Sequence, residues 1–84
     1  MDDIGDVRRA IEHAVESLPD RLLDASRDRI EEVRSRMLAI FGQSVNQHGE
    51  SAVGRLDRAI THLDEAGSAF ALVRECRDGY LSRL

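Results

Sequence analysis

Five apolar positions, Ile4, Val7, Ile11, Ala14 and Leu18, recur three and four residues apart, the stripe of an amphipathic helix. Asp2, Asp3 and Asp6 fall in its first turn, where the helix dipole favours negative charge. The pattern breaks at Pro19, which has no amide hydrogen to donate and disfavours helical geometry at Leu18. Ser17 with Asp20 three residues on has the form of a capping box, and Pro19 then sits in a first turn that does not need its donor. A second helix therefore starts there and runs through Leu22, Ala25, Ile30, Val33, Met37, Ile40 and Phe41. The five-residue step from Ala25 to Ile30 slips its register and argues against a long straight coiled coil.

Periodicity lapses across "GQSVNQHGE", Gly42 to Glu50, and then resumes through Ala52, Leu56, Ala59, Leu63, Ala66, Phe70, Val73, Arg77, Tyr80 and Leu84. Val53, Ile60 and Leu81 broaden this last stripe on one flank. The lapse reads as a hinge rather than a substrate loop. Gly42 follows Phe41 as a C-terminal cap does, Ser44 or Ser51 can cap the next helix, and Asn46 tolerates turn conformations.

The pattern predicts an all-α fold in one domain over residues 1–84, with helices at about 3–17, 18–41 and 51–83 and a loop at 42–50. The last helix would be about 50 Å long, and the first two laid end to end would match it. The expected architecture is an antiparallel helical hairpin with a kinked first arm, two or three helices in all, completed by oligomerisation into a bundle. The expected packing residues are Ile30, Val33, Met37 and Ile40 on the first arm. Facing them are Leu56, Ile60, Leu63, Phe70, Val73, Tyr80 and Leu81 on the last helix. Gly67, among Ala66, Ser68, Ala69 and Ala71, costs about 1 kcal/mol of helix propensity. It either admits a close neighbour or is tolerated in a helix held by tertiary packing.

Composition sharpens this picture in one respect. A chain of 84 residues buries too little surface for a thick core, and its single cysteine, Cys76, cannot close an internal disulfide. Association with another chain is the remaining aid. Sixteen acidic residues against twelve basic ones give a net charge of −4, so no nucleic-acid partner is expected. All twelve basic residues are arginine, which reads first as coding bias. No apolar run reaches the length of a membrane span and no secretory signal pattern is present, so the chain is expected in the cytoplasm or exported by a route without a cleaved signal.

Candidate chemistry is sparse. The residues three before His13, His48 and His62 are Ala10, Val45 and Ala59, so the Glu-x-x-His pairs of carboxylate-bridged metal sites are absent. Cys76 and the three histidines lack zinc-ligand spacing, and no metal or other cofactor is expected. Cys76 has Arg74 and Arg77 beside it, but Glu75 and Asp78 offset them, and a half-buried packing role is the better reading. No phosphate-cradling glycine motif occurs. The charge run "DASRDRIEEVRSRM" reads as a solvated helix face, with Arg27–Glu31 and Glu32–Arg36 as pairs four residues apart.

Two arms of similar length around a mid-chain turn resemble the small helical-hairpin proteins of the ESX or WXG type, which are associated with type VII secretion. The segment "LDRAITHLDEAGSAFALVRECRDGYLSRL" also resembles helical segments that recur in actinobacterial proteins. The first resemblance implies pairing as a homodimer or heterodimer. The chain departs from it in two places. Phe41-Gly42 stands where Trp-x-Gly is expected, and the acid expected four residues after Tyr80 is replaced by Leu84. If the resemblance holds, the chain would depend on a partner for export or be a cytoplasmic relative.

The expected function is a non-enzymatic protein–protein interaction module. The alternative from another class is a small acidic regulatory or antitoxin-like protein that binds and blocks a partner.

Overall fold

The computed structural model describes residues 3–42 and 47–84. Helices occupy about nine-tenths of these residues: α1 at Ile4–Glu16, α2 at Asp20–Phe41 and α3 at Gln47–Leu81. The chain forms an antiparallel hairpin whose first arm, α1 with α2, is bent at Ser17 to Pro19 and packs along α3. The lengths agree with the packing, since α1 and α2 together rise about 53 Å, as α3 does alone. The result is a rod of 66 × 16 × 15 Å.

Local chemistry sets the helix ends. The capping box is not at Ser17, as the sequence suggested, but at Asp3 and Asp6. The Asp6 amide donates to Asp3 Oδ1 at 2.7 Å, and Asp6 Oδ2 accepts from the Asp3 amide at 3.5 Å. Ser17 instead closes α1. Its backbone stays right-handed, its amide donates to Ala14 and Val15, and its hydroxyl turns back to donate to the His13 carbonyl at 3.0 Å. Pro19 is the N-cap of α2 without a side-chain hydrogen bond, and its carbonyl accepts from the Leu23 amide at 3.0 Å. At the other end, the Arg8 guanidinium donates to the Leu81 carbonyl at 3.3 Å, an acceptor shared with the Leu84 amide at 3.3 Å, and ties α1 to the end of α3.

The turn differs from expectation on its far side. Helix α3 starts at Gln47, about four residues early, so His48, Gly49 and Ser51 are helical and Ser51 is no cap. The reason is packing. The Phe41 ring lies against Gly49, where an added Cβ would come within 2.7 Å of Phe41 Cγ, and this contact draws the first turn of α3 into the fold. Gly42 is the C-cap of α2 with φ −60° and ψ −21°, and a Cβ there would meet the Leu38 carbonyl oxygen at 2.6 Å. The expectations for Asp2, Ser44 and Asn46 concern positions outside the described residues.

The hairpin has little interior. Val15 and Leu81, each 8% exposed, are the buried hydrophobic residues among those described. Gly67 lies under Leu23, but a Cβ there would sit 3.6 Å from Leu23 Cδ2, an ordinary contact. Close approach is therefore not what places glycine at 67. Gly54 and Gly79 face open space. Replacing either with alanine is expected to raise stability by about 1 kcal/mol, the difference in helix propensity, read as a higher midpoint in urea with unchanged slope.

Candidate interaction surface

The two sides of the α2–α3 contact differ in chemistry. One is an ionic seam. Arg27 Nε donates to Asp64 Oδ1 at 2.5 Å while its Nη1 reaches Glu31 at 2.6 Å. Arg34 pairs with Asp57, and Arg74 on α3 reaches back to Asp20 at 2.5 Å. The expected Arg27–Glu31 and Glu32–Arg36 pairs are both present. Arg27 and Arg34, however, are not on a solvated face. They are half-buried in the seam, because two arginines seven residues apart on α2 meet two aspartates seven apart on an antiparallel α3.

The Arg27 hydrogen bond, with the attraction of the guanidinium, holds the Asp64 carboxyl below the usual aspartate range, partly offset by desolvation. In the unfolded chain Asp64 returns to its ordinary value near 3.9. The pair's contribution is thus fully present above that value and is lost as pH falls through the lower folded one. Acidification below about pH 4 should lower the melting temperature, and Asp64→Asn should flatten that part of the profile. An unchanged acid limb in Asp64→Asn would show that the seam is not formed in solution.

The other side of the contact is apolar. Of the expected packing residues, Leu81 is buried, and Ile30, Met37, Leu56, Ile60, Leu63 and Phe70 are half-buried. Val33, Ile40, Val73 and Tyr80 are exposed within the hairpin, at 38%, 71%, 45% and 53%. The packed face keeps a seven-residue repeat but lies one position to the side of the apolar stripe, and arginine or glycine at several of its inward places, Arg27, Arg34, Gly67 and Arg74, hides it from a hydrophobic pattern. On α3 the inward line continues through Phe70, Arg74, Arg77 and Leu81, and Val73 and Tyr80 turn outward. On α2, Arg34 and Phe41 take the inward places beside Val33 and Ile40. Leu22, at 68%, joins these exposed side chains.

Shallow surface depressions accompany both sides: one lined by Glu31, Arg34, Asp57 and Ile60 on the ionic seam, another by Ala25, Ser26, Arg29 and Ile30 on the apolar side. Cys76 is exposed rather than half-buried, because it lies on the outward part of α3. The arginines near it are engaged elsewhere, Arg74 with Asp20 and Arg77 with Asp78. Among the described residues no three of His, Cys, Asp or Glu form a group able to hold a metal ion, and no helix is long and apolar enough to cross a membrane. No family model, curated protein or solved structure matches the chain.

Proposed function

We propose that this chain is a non-enzymatic helical interaction module, a hairpin whose core is completed by packing against another helical chain in a homo- or hetero-oligomeric bundle. The observation that carries this reading is the near absence of an interior. The chain exposes 6626 Å², against about 5,000 Å² for a compact monomer of its mass. Its radius of gyration is 19.6 Å, where a compact domain of this length has about 12 Å. Large apolar side chains stay exposed on all three helices, among them Ile4, Leu22, Ile40, Leu72 and Tyr80, and exposed apolar surface of this kind marks protein-binding sites. The hairpin shape also suits the resemblance to ESX or WXG proteins, from which we take the pairing mode and, through a partner, a place in type VII secretion.

The test is whether a lone chain is complete. The reading predicts that, at concentrations where light scattering gives a monomer, calorimetry shows a broad, weakly cooperative transition and the dye ANS binds. A monomer that melts in a sharp two-state transition without binding ANS would overturn it.

A further inference from the structure

The three helices are not held together in the same way. Between α2 and α3, the ion pairs Arg27–Asp64, Arg34–Asp57 and Arg74–Asp20 bridge the hairpin. Among the described residues no ion pair joins α1 to α2 or α3. Helix α1 packs on α3 and not on α2, and its polar tie there is the Arg8 guanidinium on the Leu81 carbonyl, an acceptor already used by the Leu84 amide. The rest of its hold is apolar, through half-buried Val7 and Ile11 and buried Val15.

The backbone separates α1 from α2 as well. Helix α1 closes both ends with its own side chains, Asp3 with Asp6 at the start and Ser17 on the His13 carbonyl at the finish. Pro19 has no amide hydrogen to give, and among the described residues no amide of α2 reaches a carbonyl of α1. Asp20, the first residue of α2, is the one that pairs with Arg74 at 2.5 Å, so the seam ends directly beside the break. Asp20 Oδ1 is buried there without a hydrogen bond, a cost that the closed chain carries at this junction.

We infer that α1 is a hinged strap, which lifts off α3 about Ser17 to Pro19 as a unit while α2 and α3 stay paired. This holds for the lone chain, whether or not a partner completes its core.

Helix α1 has 13 residues, a length at which an isolated helix is marginal in water, so it unwinds once undocked. The same event frees the turns of α3 beyond Arg74. They lose Arg8 at Leu81 and contain Gly79, a poor helix former with open space around it. The Asp20–Arg74 pair is therefore the boundary of the opening unit on both arms. Val15 and Leu81, the buried hydrophobic residues of the closed chain, are reached in the open form. Any helix that binds them displaces the strap, which makes closure of α1 an inhibitory contact at the end of the rod away from the turn.

Hydrogen exchange of the intact chain, followed amide by amide by NMR, reads this opening. Amides of α1 should exchange about 100-fold or more faster than those in the middle of α2 and α3, with little dependence on dilute urea. The turns of α3 beyond Arg74 should follow α1. Ile60→Ala tests independence, since Ile60 lies with Glu31 and Arg34 where α2 meets α3. It should speed exchange in α2 and the middle of α3 about tenfold and leave α1 as it was, because that contact stays intact when the strap is open. Equal protection and equal urea slopes in all three helices would overturn the inference, as would Ile60→Ala speeding all three alike. The parent profile alone decides if Ile60→Ala does not fold. Exchange of α1 at the rate of an unstructured chain overturns it too, since α1 would then not dock at all.

Discussion

Leu81→Ala is expected to lower stability by about 2–3 kcal/mol, read as a fall in the urea midpoint by circular dichroism with the slope unchanged. Leu81 is 8% exposed and, with Val15, makes up the buried hydrophobic set among the described residues. Deleting its branched end removes transfer free energy and leaves a cavity that the thin rod fills only in part. A chain of 84 residues has a total stability of about 4–13 kcal/mol, so one residue accounts for a large share. Leu72→Ala, at a site 59% exposed, should change the midpoint little by comparison. Equal midpoints for the two variants would mean that the end of α3 is not docked on α1.

The second large effect is expected at the turn, where Gly49→Ala should destabilise although alanine is the better helix former. The added Cβ would meet the Phe41 ring at 2.7 Å from Cγ and 3.0 Å from both Cδ atoms. Overpacking of this kind costs about 1–3 kcal/mol, more than the gain of about 1 kcal/mol in helix propensity. The sign should reverse in a Phe41→Ala background, where the ring is gone and Gly49→Ala becomes stabilising. A double-mutant cycle by urea denaturation measures this coupling. Additive effects, with no change of sign, would show that Phe41 does not rest on Gly49.

The hairpin was legible because hydrophobic periodicity and one proline determine where three helices lie, and arms of equal length have one economical way to meet. The ends were less legible because two capping signatures competed. Ser17 with Asp20 and Asp3 with Asp6 have the same spacing, and only the path of the chain at Pro19 decides that Ser17 closes one helix instead of opening the next. The early start of α3 was hidden because Gly49 reads as a turn residue until Phe41 is seen to need the space. The inward face of α3 was legible at Leu56, Ile60, Leu63, Phe70 and Leu81, whereas Gly67 and Arg74 hide inward places from an apolar pattern that runs on through Val73 and Tyr80. The ionic seam carried a readable signal after all. Arg27 and Arg34 on one arm and Asp57 and Asp64 on the other share a spacing that only an antiparallel partner brings into contact.

The pairing of Arg8 with the Leu81 carbonyl spans 73 residues of chain, whereas Phe41 and Gly49 are close neighbours in sequence. Closing the long span directly would cost about 2 kcal/mol more in chain entropy than closing the turn, so the rod zips from the turn toward its ends. The best-buried side chains are therefore engaged last. Rate and stability are controlled from opposite poles: altering the Phe41–Gly49 contact should slow folding, and trimming Leu81 should mainly speed unfolding.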